Sequence, residues 1–424
     1  MKMLIKNGWV VDPSCGRNAK YDILIEKDRI SKIGKGLEDE DAVLIDAKGK
    51  IVAPGFVDMH THLREPGREE AETIATGMNA AVSGGYTTVC PMPNTEPACD
   101  SHADVTFLLE RARDLKKCNL LPIGAITKKR EGLELSEMAE LKEAGCVAVS
   151  DDGSSVPDAS LMRRALEYAS MNGLLVISHC EDKALAGDGV MNEGYFSTLL
   201  GLAPIPREAE ITVVERDIRL AELTGARLHI AHVSTAESID IIKKAKKRGV
   251  NVTCEVTPHH FTLTDGALRG YDTDLKVNPP LRTAEDVKAI KEAIEDGTID
   301  VIATDHAPHP ENEKEKEFDY APFGMIGLET ALSLGIQELV DGEYLNWEGL
   351  VDKMSTTPSR ILGYDRGTLQ EGAVADIVIV DPEKEWVYSA DKIRSKSKNS
   401  PFIGKKMKGA AVYTICGGKI VYKG

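Results

Sequence analysis

At 424 residues, 42% hydrophobic and 28% charged, the chain is long enough for one large domain and a smaller companion. Its 52 Lys and Arg stand against 68 Asp and Glu, a net charge of -16, which argues against a nucleic-acid footprint and requires any anion site to be locally basic. No run of 18 apolar residues exists, and MKMLIKNGWVVDP lacks a signal peptide's long apolar core and small-residue cleavage site, so a cytosolic (cytoplasmic) protein with no membrane contact is expected.

From the amino end, residues 2–53 alternate short β-rich runs with turn residues. Asn7-Gly8, Lys27-Asp28 and Lys48-Gly49 are expected at hairpins or tight turns. The carboxyl end has the same texture at 375–381, 385–388 and 411–422, the last around a Gly-Gly turn. Two β-rich ends around a different middle predict a small β-sandwich domain built from both termini, residues 1–54 and 363–424.

Residues 55–362 alternate apolar strands with amphipathic helical stretches. Strands are predicted at 55–60, 85–91, 119–126, 146–150, 174–179, 226–232, 249–255 and 299–304. Helices are predicted near 70–83, 102–117, 134–143, 158–171, 207–223, 235–247, 284–296 and 326–341. Ser101, Asp158 and Thr283 supply starts, and Gly84, Gly173 and Gly249 supply stops. Eight strands each followed by a helix is the count of an α/β protein of the (β/α)8 TIM-barrel type, whose active site lies at the carboxyl ends of the strands. After the eighth strand comes a charged run, 310–319 (PENEKEKEFD). By composition it is a solvated loop; from its place over that face, bracketed by Pro and Gly, it reads as a mobile active-site loop.

Titratable groups collect where the strands end. In GFVDMHTHLREPG, His60 and His62 sit two apart, so an extended backbone presents both imidazoles on one face. His179, His232 and Asp305 each follow a further apolar strand, and four imidazoles with a carboxylate at strand ends form a metal-site pattern for which Zn is the default ion. Asp305 is the candidate general base, able to pass a proton to a leaving nitrogen. Asp151 and Asp152 after the fourth strand either cap the next helix or bridge two metals, and spacing alone does not choose between them. His229, three before His232, is expected to point away and pack, and His259 and His260 to act behind the ligands or structurally. Arg64 can grip a carboxylate with two parallel hydrogen bonds. With Asn94, Asn278 and His309 it outlines a pocket for a small anionic amide. The eight cysteines show no C-x-x-C and read as reduced core residues, except that Cys180, beside His179, is placed to compete for zinc.

The ordered motifs VDMHTHLREPG, PMPNT, SDDGS, ISHCED, HIAHVS, CEVTPHH, VNPPLR and ATDHAPH, with GTLQEGAVADIVIVDP near the end, resemble those of class I, bacterial-type dihydroorotases of the amidohydrolase superfamily. That resemblance implies reversible cyclisation of N-carbamoyl-L-aspartate to L-dihydroorotate in pyrimidine biosynthesis. It also implies one or two Zn2+ ions on His60, His62, His179, His232 and Asp305, with Asp152 as the bridging candidate. Substrate would meet His62, Arg64, Asn94, Asn278, His309 and the backbone of Phe323 and Gly324. Much of the superfamily bridges its metals with a carboxylated lysine at the end of the fourth strand, where this chain has Ser150, Asp151 and Asp152. Rival readings are an allantoinase or dihydropyrimidinase of the same fold, or a silent structural partner of aspartate carbamoyltransferase. A homo-oligomer is expected, with aspartate carbamoyltransferase as a further partner that the resemblance admits.

Overall fold

All eight predicted barrel strands form, at Phe56–Thr61, Tyr86–Pro91, Ile123–Gly124, Ala148–Ser150, Leu175–Ser178, Leu228–Ile230, Val252–Val256 and Val301–Ile302, in a computed structural model that describes residues 2–424. The last six pair in parallel in chain order. The third strand is split. Asn119–Leu120 pairs with Tyr86–Pro91, whereas Ile123–Gly124 pairs with Ala148–Ser150, and Pro122 between them has no N–H to continue one ladder. Closure from the eighth strand to the first uses a Thr61–His306 bridge and the His62 N–H donating to the His306 carbonyl at 2.9 Å. Buried Asp58 completes the seam, accepting from Thr304 N at 3.1 Å and Thr304 Oγ1 at 2.6 Å.

Val57, Met59, Cys90, Ile123, Ala148, Leu175, Ile177, Val301 and Ala303 form one buried cluster, the packed barrel interior. A larger buried cluster lies between the strands and the surrounding helices. The predicted helix starts are capped: Ser101 and Thr283 form capping boxes, and Asp158 accepts from Leu161 N. The final predicted helix begins later, at Ala331, and continues from Gly335 into a π-turn at Ile336–Val340. Its leading residues are drawn into other bonds: Met325 bridges His306, and Ile326 N donates to Asn399 O at 3.0 Å.

The two ends meet in one eight-stranded sheet, running Lys419–Lys423, Lys406–Cys416, Ile377–Val387, Ile51–Pro54, Lys2–Asp12, Arg17–Glu26 and Arg29–Gly34, with Val43–Asp46 also on Lys2–Asp12. It closes over Met3, Ile5, Ile23, Ile25, Ile377, Ile379 and Ile415. Lys27-Asp28 makes the expected reversal. Lys48-Gly49 makes the expected tight turn, with Lys50 N donating to Ala47 O at 2.9 Å, whereas Asn7-Gly8 does not reverse the chain. Val43–Asp46 and Ile51–Pro54, on either side of that turn, both run parallel to Lys2–Asp12, so Asn7-Gly8 is a bulge in one continuous strand facing the turn, joined to it by Asn7 Nδ2 donating to Asp46 Oδ1 at 3.0 Å.

Candidate active site

At the carboxyl ends of the barrel strands, Asp152 stands among four imidazoles. Its Oδ1 lies 3.3 Å from His60 Nε2, 3.6 Å from His179 Nδ1 and 3.8 Å from His232 Nε2, and its Oδ2 lies 3.6 Å from His62 Nε2. Asp305 Oδ1 closes the group at 3.0 Å from His62 Nε2 and 3.4 Å from His60 Nε2. Two triads capable of holding a metal share His60: one with Asp152 and His232, the other with His62 and Asp305. His179 lies outside both triads but keeps its Nδ1 2.8 Å from His232 Nε2.

The donor set fits a metal ion. His60 Nε2, His179 Nε2 and Asp152 Oδ1 are buried without hydrogen-bond partners, which is costly for lone pairs unless something meets them. Donors about 2 Å from a tetrahedral ion are about 3.4 Å apart, the range seen here. Burial disfavours a charged His60, yet Asp152, Asp305 and Glu255 raise its pKa well above the ordinary value. The cluster demands positive charge, which a cation would supply. Burial would likewise lift Asp152 and Asp305, but His60 and the neighbouring imidazoles hold both below the usual carboxylate range.

Local backbone conformation aims these groups. Arg64, His232 and Asp305 sit at φ of 60°, 31° and 47°, in a left-handed region that side-chain-bearing residues avoid. Asp151, adjacent to Asp152, turns away and accepts from Ile126 N (2.8 Å), Thr127 N (3.0 Å) and Thr127 Oγ1.

A cavity of about 330 Å³ opens over the cluster. His62, Arg64, Asn94, Asp152, His179, His232, Asn278, Asp305, His309, Phe323 and Gly324 all border it; among the predicted site residues only His60, fully buried beneath, does not. Arg64 donates from Nε to Pro308 O at 3.1 Å, and burial lowers its pKa to about 10. Asn94 Oδ1 accepts from His62 Nδ1 at 2.8 Å, and Asn278 Nδ2 donates to Glu181 Oε2 at 2.6 Å. Burial and the nearby Arg64 push His309 down to about 2, and its Nε2 lies 2.8 Å from Phe323 O. Gly324 has φ 131°, and a Cβ there would come within 2.7 Å of Ala307 Cβ, so only glycine fits. A larger cleft of about 610 Å³, beside Trp386 and Arg394, contains none of these groups.

The charged run over this face is tied down. Lys314 is buried and donates to Pro322 O and Gly324 O, each at 3.0 Å, and Glu313 pairs with Arg68 at 2.8 Å. His306 faces Glu72 at 3.4 Å, away from the cluster. His260 is held by Thr257 Oγ1 and Pro279 O, whereas the buried His259 Nε2 has no partner. Cys180 is not poised over the site: its thiol turns back to Ser178, and burial raises its pKa well above the ordinary value.

Two residues here escaped the sequence reading. Glu255 accepts from His60 Nδ1 at 2.6 Å and from His229 Nε2 at 3.1 Å, while His229 Nδ1 lies 2.8 Å from Thr253 Oγ1. Burial opposes its ionisation, but the facing imidazoles hold Glu255 at about 2. An ionised Glu255 keeps the His60 proton on Nδ1 and leaves Nε2 as a donor atom for a metal. A lone acid inside an apolar strand was the available signal. Asn399, beyond the barrel, accepts from His309 N at 3.1 Å and donates to Ala307 O at 3.0 Å and Gly324 O at 3.1 Å. It clasps the two loops that flank the cavity.

Comparison with known proteins agrees with this architecture. A family model described as dihydro-orotase-like matches residues 49–238, and one described as amidohydrolase family matches residues 206–422. The dihydroorotases of Geobacter metallireducens and Citrifermentans bemidjiense are 55% and 56% identical, each over 100% of both chains. Among solved structures, the L-hydantoinase (dihydropyrimidinase) of Arthrobacter aurescens aligns with a TM-score of 0.90 at 26% identity, covering 99% of this chain and 96% of its own. The dihydropyrimidinase of Brevibacillus agri aligns at 0.87 and 26%, covering 100% and 95%.

Proposed function

This chain belongs to the dihydroorotase family of the amidohydrolases, and on that footing we propose that its rim cluster interconverts N-carbamoyl-L-aspartate and L-dihydroorotate, the ring-forming step of pyrimidine biosynthesis. It is a metal-dependent cyclic amide hydrolase. The observation that carries the assignment of residues is the Asp152 carboxylate, within 3.3–3.8 Å of four imidazoles and bordering the same cavity as a buried Arg64.

His60, His62, Asp152, His179, His232 and Asp305 would hold zinc, as one ion or two, because imidazole and carboxylate donors suit it. Bound there, zinc supplies Lewis acidity. Asp305, held ionised at the cavity wall, takes a proton from the water that attacks the ring carbonyl and delivers it to the ring nitrogen as the amide bond breaks. In the closing direction it carries the ureido proton to the departing carboxylate oxygen, which takes a second proton from solvent and leaves as water. Arg64 binds the substrate carboxylate, with Asn94, Asn278 and His309 fixing its orientation. Asn94 also steadies His62, and the backbone of Phe323 and Gly324 walls the pocket.

The fourth strand ends in Ser150, Asp151 and Asp152 with no lysine, which favours this reading over the activities of the solved neighbours. A cytoplasmic location belongs to the same proposal, supported by eight unpaired cysteines. Among the described residues no helix is long and apolar enough to cross a membrane. A homo-oligomer is supported by the exposed Tyr195, Leu199 and Tyr271, the last donating to Leu200 O at 2.8 Å. Dihydroorotate hydrolysis followed in the ultraviolet, alongside metal stoichiometry, tests the proposal. Metal-dependent turnover is expected; preference for dihydrouracil or hydantoin, or no turnover by the metal-loaded chain, would overturn it.

A further inference from the structure

Beside the reaction cavity, and sharing Arg64, Asn94 and Gly153 with it, lies a second cavity of about 530 Å³. Its wall carries four cations, Arg64, Arg68, Lys129 and Arg130, against one carboxylate, Glu96, on a chain with a net charge of -16. Arg68 is paired with Glu313 at 2.8 Å and reaches Glu70 at 3.6 Å. Among the described residues Arg64, Lys129 and Arg130 form no ion pair. The nearby Asp100 accepts from the Lys129 backbone N–H at 2.6 Å rather than from its ammonium. Arg130 donates from Nη2 to Asp152 O at 2.5 Å and to Ser154 Oγ at 3.1 Å, while its buried Nε has no partner. Consecutive left-handed residues, Lys129 at φ 53° and Arg130 at φ 59°, set these two cations on the cavity wall.

Unpaired positive charge on an acidic chain, in a hollow that shares three wall residues with the reaction pocket, is a place for an anion. We propose that Lys129 and Arg130 make this hollow a vestibule that gathers the open-chain dicarboxylate and favours it over the ring form. The inference rests on the function proposed above, in which one reactant carries two carboxylates and the other carries one. In a fixed potential the interaction free energy scales with ligand charge, so any change at the wall alters affinity for the dianion by the square of the factor for the monoanion.

Lys129 has an exposed side chain on the wall and no bond to a candidate ligand, so its charge can be changed without disturbing the cluster. In the metal-loaded enzyme, Lys129→Glu is expected to raise KM for dihydroorotate about twofold and for carbamoyl aspartate about fourfold. Lys129→Ala should give about half of each effect on a logarithmic scale. At about 1 M salt, where the screening length is about 3 Å, both effects should shrink toward one. Lys20→Glu, the same charge change on an exposed position of the terminal sheet, should leave both KM values unaltered. Equal factors for the two reactants, or none for either, would overturn the vestibule. A wild-type enzyme that turns over neither reactant would instead overturn the function on which it rests.

Discussion

The barrel rim and the terminal sheet use the same unusual backbone conformation to opposite ends. In the sheet, left-handed residues such as Asn7, Lys27 and Gly49 fall at turns and bulges, where the chain has to bend and a polar or small residue adopts the geometry readily. At the rim, the same region is forced on Arg64, His232 and Asp305, at a cost of about 1–3 kcal/mol each. The sheet buries isoleucine against isoleucine, whereas the rim buries nitrogen and oxygen atoms that have no partner. Stability therefore concentrates in one region and chemical tension in the other, so the two should be separable by substitution.

Asp305→Asn should break the rim most severely. Turnover in both directions is expected to fall about 10²- to 10⁴-fold, while metal content at saturating zinc, carried by the five remaining donors, and melting temperature hold; steady-state rates with metal analysis and calorimetry check this. Ile377→Ala strikes the other region. It should destabilise the protein by about 2–5 kcal/mol in denaturant titration yet leave kcat/KM of the surviving folded enzyme unchanged. Glu255→Gln sharpens the contrast, since the amide oxygen can still accept from His60 Nδ1 but the charge is gone. Metal affinity measured against a competing chelator should drop about 10- to 100-fold. Arg64→Lys should be mildest, raising KM about tenfold through loss of the paired hydrogen bonds, with metal content intact.

The barrel was legible because each strand carries a local apolar signal, and the ligands because each ends such a strand. Asp151 and Asp152 could not be separated by spacing. What distinguishes them is the pair of backbone N–H groups at Ile126 and Thr127, which captures the first and leaves the second to the imidazoles. His229 does pack, as its odd spacing from His232 indicated, but it packs against Glu255 and so belongs to the support of His60. That relation spans 195 residues and no pattern along the chain announces it. Asn399 lies in a polar stretch with no periodicity, and its side-chain partners stand 75 and more residues away. Asn7-Gly8 reads as a reversal because the pair readily takes the positive φ of a tight hairpin turn; here two parallel neighbours keep the strand running.

The clasp at Asn399 also sets an order of events. Synthesis delivers every imidazole and both carboxylates of the cluster well before residue 399 leaves the ribosome, so the ligands are all made before the residue that fastens the walls beside them. Only when this late-made irregular segment packs against the loops do Ala307, His309 and Gly324 gain their shared anchor, and the catalyst is finished by its tail.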